Sequence, residues 1–466
     1  MRYQAKPKAS QTLGSYAPNR FLITVDSSHK IATAGGMPLR MSRKELSVFF
    51  HEYMHYLQNI STVIGLHEFI CSYDMWRLFR ETFDKAQGCR GTKALPRQRR
   101  SWVKEIQDAG ALRDGRTLST PPARHTAVSF RIGGVSSSLV SKPFCGSSVE
   151  AHQVTLSGDV LYPRGQPKQC TYQLGLIAIQ ESVAFELDQM VARTAGSTAP
   201  QPHDAPVFPY KLLRSLRDYY EPSLTTMMLI KLATIAQQTN DPAGVLIDCL
   251  GQIKQKVANG STVASAFLDV QKFWHPQARR YLAAALQDVQ TYSATITNGV
   301  YIKEAIRIIC ATFQSSLTAR QADLYFDLAP FDSRGQCDFK KLQALIQKHK
   351  PCLVLQEGDG DETVVGRDTL FAFSPLPKRG IDPEAALRTF HSALYLMLIH
   401  SPKRGFTPTH PSVAGTCPFF TSCRLPLRRN DPDICQYTPW DAASWAGWKA
   451  GLSCNYGSAC SASVGL

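Results

Sequence analysis

Residues 47–63 read SVFFHEYMHYLQNISTV, with His51, Glu52 and His55 forming an H-E-x-x-H at their centre. Leu46, Phe49, Phe50, Tyr53 and Leu57 recur at helical spacing, and Ser42 with Glu45 three residues on makes a capping box. The stretch therefore reads as a helix that ends near Gln58. Residues four apart share one helical face, so both imidazoles can meet one metal ion while Glu52 reaches its bound water. Zinc is the usual occupant, since it accepts imidazole nitrogen and carboxylate oxygen and lowers the pKa of bound water to about 7. With 12 His and 13 Glu in 466 residues, a chance match is expected in about one sequence in a hundred of this composition.

A hydrolytic zinc site needs a third protein ligand and a position left for water. The metzincin extension requires glycine at position 58 and histidine at position 61, where this chain has Gln58 and Ser61. A carboxylate from a later helix is the alternative, and Glu181 in LGLIAIQESVAFELDQM is the candidate. An acid among so many apolar neighbours is costly unless paired or coordinating, and small Ser182 and Ala184 would allow close packing on the first helix. Glu68, Asp74 and Glu81 are competing ligands close behind the motif.

On His51 through Gln58 and Ile179 through Ala184, the sequence resembles the gluzincin-type zinc metallopeptidases. More narrowly, it resembles uncharacterised bacterial proteins that combine H-E-Y-x-H-x-L-Q with a later E-S-x-A helix. The resemblance implies His51, His55 and Glu181 as zinc ligands and Glu52 as the general base that activates water and returns the proton to the leaving amine. Thermolysin-like members carry an Asp four residues after the third ligand, where this chain has Phe185, so Glu186 or Asp188 is the expected support for a ligand histidine. Tyr210, Tyr219, Tyr220 and His203 are eligible transition-state donors by order along the chain. An edge strand for an extended peptide is expected within 126–160, with a core sheet as the other reading. The expected fold class is α+β and helix-rich: a zincin-like metallopeptidase core, a mostly helical C-terminal region and a Cys-rich tail.

Working outward, the chain divides into three. Residues 1–200 form the zincin-like region, with a strand at Phe21–Leu22–Ile23–Thr24–Val25, a second helix running on to about Ala86, a basic insertion at about 87–125, a small sheet at about 126–160 and a Glu181 helix over 172–193. Residues 201–400 read as a helical domain, with the acidic 357–362 as a turn. Residues 401–466 hold Cys417, Cys423, Cys435, Cys454 and Cys460, a candidate structural metal module with free thiols as the alternative. His67, His125, His152, His391, His400 and His410 have no partner spacing and are assigned no metal role.

Composition bounds the rest. The 44% hydrophobic and 19% charged content supports a buried core and excludes a disordered chain. There is no run of 18 apolar residues, and the first 20 residues lack a signal-peptide core, so the expectation is a cytoplasmic protein without a membrane span. Thirteen cysteines under reducing conditions point to thiols or metal ligands. A net charge of +15 leaves a second function class open, a non-catalytic, basic zinc-binding scaffold or nucleic-acid-binding protein. The leading expectation is a protein or peptide substrate.

Overall fold

A computed structural model describes residues 14–17, 21–26, 43–84, 88–117, 129–162, 166–196, 207–294, 299–357, 369–372, 381–401, 404–409, 417–420, 422–423, 425–437 and 454–463. In chain order its elements begin with β1 (Gly14–Ala17), β2 (Leu22–Asp26), α1 (Arg43–Ser61), α2 (Val63–Arg80), β3 (Phe83–Asp84), β4 (Gly88–Cys89), α3 (Arg97–Asp114) and β5 (Arg116–Thr117). Next come β6 (Ser129–Phe144), β7 (Ser147–Leu161), β8 (Lys168–Leu174), α4 (Leu176–Thr194), α5 (Leu212–Tyr220), α6 (Thr226–Ala236), α7 (Pro242–Ala258) and α8 (Val263–Ala294). The remainder comprises α9 (Val300–Ala322), α10 (Phe339–Lys348), β9 (Leu353–Glu357), β10 (Thr369–Ala372), α11 (Pro383–Ile399), α12 (Pro426–Asn430), α13 (Pro432–Tyr437) and α14 (Asn455–Ser463). The class is helix-rich α+β.

Helix α1 forms because its apolar positions fill one broad face, burying Phe49, Phe50, Tyr53, Met54, Leu57 and Ile60. Each such side chain contributes about 1.5–3 kcal/mol on leaving water. The helix runs to Ser61, and Thr62 in an extended conformation breaks it. The Thr62 hydroxyl then caps α2 by accepting from the Gly65 amide at 3.1 Å. Gly65 is required at this reversal, because a Cβ there would lie 1.9 Å from the Asn59 carbonyl oxygen.

Two four-stranded sheets flank the helices. In the first, of order β1-β2-β9-β10, β2 pairs parallel with β9 from Leu22 opposite Leu353 to Asp26 opposite Glu357. In the second, of order β5-β8-β7-β6, β6 and β7 form a long hairpin turned by Cys145 and Gly146, both at positive φ as a two-residue hairpin turn requires. Phe21 meets Phe69 of α2 and Phe313 of α9 edge-on at 5.6 and 5.9 Å, which ties the first sheet to helices far along the chain.

Several expected boundaries move. The divisions at 200 and 400 do not part the core, which is one contiguous cluster running from Phe21 to Ala459. The second helix stops at Arg80, and the hairpin β3–β4 follows it. The basic insertion carries the 18-residue helix α3, whose amphipathic pattern is diluted by four arginines. Residues 168–174 are strand β8, so the Glu181 helix begins only at Leu176. Strand β9 ends where the acidic turn was expected, and residues 358–362 of that turn lie outside the described residues. Ser42 also lies outside them. Among the described residues, no helix is long and apolar enough to cross a membrane.

Candidate metal centre

Helices α1 and α4 pack face to face. Small Ser182 and Ala184 are fully buried in α4 beside the ligand position, as close helix packing requires. Glu181 of α4 points at the histidine face of α1: its Oε2 lies 3.3 Å from His51 Nε2 and 3.2 Å from His55 Nε2, while the two Nε2 atoms are 3.2 Å apart. Among the described residues, this is the one group of three or more His, Cys, Asp or Glu whose ligand atoms all lie within 4.8 Å of one another. Burial raises the Glu181 carboxyl, but hydrogen bonds to and the charges of the two imidazoles overcome it and hold the pKa well below the usual carboxylate range.

The donor set fits zinc. Two imidazole nitrogens and one carboxylate oxygen are the ligand types a hydrolytic zinc site uses. Their open side faces a cleft of about 320 Å³, lined also by Ser15, Tyr16, Glu52, Asn59 and Tyr210, which leaves room for water and a substrate.

Glu52 is almost fully buried. Burial pushes its carboxyl up to about 7, the His51 imidazole and the Tyr16 backbone amide pull it down, and Glu181 and Asp188 push it further up. Tyr16 belongs to β1, the edge strand of its sheet among the described residues, and its hydroxyl donates to Asn59 Oδ1 at 3.0 Å. The Asn59 amide in turn faces Glu68 Oε2 at 3.5 Å. Tyr210 places its ring 6.0 Å from that of His51, and burial, followed by the charges of Glu181 and Glu52, pushes its hydroxyl up to about 12.

The other sequence candidates fall elsewhere. Tyr219 and Tyr220 lie outside the cleft under the Lys254 ammonium. His203, His125 and His410 lie outside the described residues. Asp74 accepts from the Tyr292 hydroxyl at 2.7 Å, and Glu81 pairs with Arg99. Neither they nor Glu68 join the ligand group. Glu186 does not support a histidine: Arg214 takes both of its oxygens, at 2.5 and 3.0 Å. His152 pairs with Asp241, the N-cap of α7. His391 and His400 are core residues. The edge strand at the cleft is β1, with Ser15 and Tyr16, instead of a strand within 126–160.

In the tail, burial and the charges of Cys454, Cys435 and Cys423 together raise the Cys417 thiol, so these four side chains share one neighbourhood. The Cys417 amide donates to the Cys435 carbonyl at 2.9 Å. No three of these sulfurs meet the 4.8 Å spacing of the histidine site. The side chain of Cys460 lies outside the described residues.

Sequence reasoning missed Asn59, Tyr16 and Ser15. Asn59 was findable, since it follows Glu52 by seven residues and so shares its helical face. Tyr16 carries no local signal, because a strand reaches the site only through sheet pairing. Compared with family models, with curated proteins and with solved structures, the chain matches none.

Proposed function

We propose that this chain is a zinc-dependent peptidase, with His51, His55 and Glu181 as metal ligands and Glu52 as general base. The observation that carries the reading is the convergence of three ligand atoms within 4.8 Å, drawn from two elements 126 residues apart, beside a buried carboxyl and an open cleft. When bound, zinc supplies a water of lowered pKa and a Lewis acid for the scissile carbonyl.

The chain's own groups do the rest. Glu52, with a pKa near neutrality, accepts a proton from the attacking water and returns it to the leaving amine. Tyr210 stays protonated at neutral pH and offers its hydroxyl to the oxyanion of the tetrahedral intermediate. Among the described residues no strand pairs with the outer side of β1, and an extended peptide added there would meet its backbone groups, which favours a polypeptide substrate over a small ester or amide.

Elemental mass spectrometry on protein purified without added metal or chelator tests the reading. The expected result is one zinc equivalent that is lost in His51→Ala and retained in Glu52→Gln, with hydrolysis of a quenched peptide lost in both. A folded protein whose zinc content, with zinc supplied, is the same in wild type and His51→Ala overturns it. The rival, a basic zinc-binding scaffold for nucleic acid, rests on the net charge of +15. It predicts affinity for nucleic acid that falls steeply with salt and is unchanged by Glu52→Gln.

A further inference from the structure

A second set of metal-ligating side chains lies in the tail, where Cys417, Cys423, Cys435 and Cys454 come together. All six pairs among them interact: Cys417 feels the charges of Cys454, Cys435 and Cys423, Cys435 those of Cys454 and Cys423, and Cys454 that of Cys423. Four sulfurs, each near the other three, surround a common point as the ligands of a tetrahedral zinc do. The backbone joins the same stretches of chain, since the Cys417 amide donates to the Cys435 carbonyl at 2.9 Å. Cys417 and Cys435 are buried, and Cys423 and Cys454 are half-buried.

Three features around the quartet favour thiolates over thiols. The Gly457 amide donates to Cys454 Sγ at 3.3 Å, the Tyr456 amide donates to the same sulfur, and the Phe419 amide donates to the sulfur of Cys417. Such donors stabilise the charged form, which is the form that binds a metal. Cys454 directly precedes α14, whose N-terminal end also favours negative charge. Arg428, itself buried, stacks its guanidinium 3.1 Å from the Phe420 ring centroid and feels the charges of Cys435, Cys423 and Cys417. A zinc ion held by four thiolates keeps a net charge of about −2, which compensates a buried cation beside it. The local helices need such a staple: α12, α13 and α14 have five, six and nine residues, and helices shorter than about 12–15 residues are marginal by themselves.

We propose that Cys417, Cys423, Cys435 and Cys454 form a structural zinc site, separate from the histidine site and independent of the peptidase reading. Four thiolates fill the tetrahedron and leave no position for water, so the metal here fastens the chain and does no hydrolysis. It fixes the turn at Cys417 and the start of α14, whose Phe419 and Tyr456 rings rest on His391 and Tyr395 of α11 at 5.0 and 6.4 Å. Zn–S bonds of about 2.3 Å set tetrahedral sulfurs about 3.8 Å apart, whereas no three of these sulfurs lie within 4.8 Å of one another. A cysteine turns on one torsion, and a step between staggered wells carries its sulfur by about 3 Å, so the quartet closes on the metal by side-chain rotation.

The test uses the full chain carrying His51→Ala and His55→Ala, which removes the helix site, kept under reductant. Stripped with a chelator and titrated with cobalt(II), it is expected to take up one equivalent with the sulfur-to-cobalt charge-transfer absorption of a tetrahedral thiolate site. Added zinc should displace the cobalt and abolish that absorption. This readout needs no cysteine change, so it stands even where a cysteine variant fails to fold. Adding Cys417→Ser or Cys435→Ser should weaken the cobalt affinity by more than the 10–100-fold, roughly, that loss of a partner outside the ligand shell costs. Absence of the charge-transfer absorption at excess cobalt overturns the site, as does a cobalt affinity that is unchanged in both serine variants. Both readouts are independent of peptide hydrolysis, so failure of the peptidase reading leaves them intact.

Discussion

The middle of helix α1 and its C-terminal end both carry charge into the core, yet they are built on opposite plans. At its C-terminal end, fully buried Arg320 donates to the Ser61 carbonyl and hydroxyl, to the Leu324 carbonyl and to both oxygens of Asp327, at 2.6–3.3 Å. Its ring neighbour Phe326 covers the guanidinium face at 4.5 Å. Every donor direction is used, and no room is left for anything else. In the middle of the helix, His51 and His55, with Glu181 of α4, turn three ligand atoms toward one another beside an open cleft. A saturated buried network fastens helices together, whereas a convergence of acceptors is completed by a cation.

Breaking the histidine site should have the largest effect on function. His55→Ala is expected to remove one equivalent of zinc and drop peptide hydrolysis to background, as read by elemental analysis and a quenched-peptide assay. The metal-free form of this variant should unfold within about 1 kcal/mol of metal-free wild type, because no saturated network is lost. Breaking the closed end should do the reverse. Asp327→Ala leaves the Arg320 charge uncompensated in the core and should cost about 3–5 kcal/mol in urea unfolding, while the folded fraction keeps its zinc.

A pH titration sharpens the same contrast. His349 Nδ1 and the Ser316 hydroxyl share a hydrogen bond at 3.1 Å. Burial, then the charges of Lys348 and Arg320, depress its pKa to about 4. Between pH 6.5 and about 4 the unfolded chain therefore binds a proton that the folded chain refuses, so stability is full above pH 6.5 and falls as pH drops through that window. The loss is roughly 3 kcal/mol from this group, and His349→Gln should flatten the curve of unfolding free energy against pH. The smallest effect belongs to the joint between the helices: Thr62→Ala removes the cap of α2 and should cost about 1 kcal/mol in the same unfolding assay.

Much of the centre was legible in the sequence because helix geometry is local. An H-E-x-x-H within an apolar periodic stretch places both imidazoles on one face before any tertiary contact forms, and Glu181 stood out as an acid in an apolar helix. The helices at 63–80 and 176–194 and the hairpin over 129–161 were visible for the same reason, through periods of 3.6 and 2. Their ends were less so: residues 172–174, the last of strand β8, were read as helix, because YQLGL satisfies both patterns over so short a run. Of helix α3 only a short piece near Trp102–Ala109 carries visible periodicity, because a charge-rich face lowers its amphipathic contrast.

By itself, then, the sequence determined a helix-rich α+β class and a two-histidine helix with a carboxyl between its imidazoles, since both follow from spacing along a single element. Tertiary structure alone decided that Glu181, and not Glu68, Asp74 or Glu81, meets the histidines, and that Tyr210 and β1 line the cleft. It also joined β2 to β9 across more than 300 residues. Those placements depend on which apolar faces bury one another, and burial is non-directional: it fixes partners only when the whole core packs.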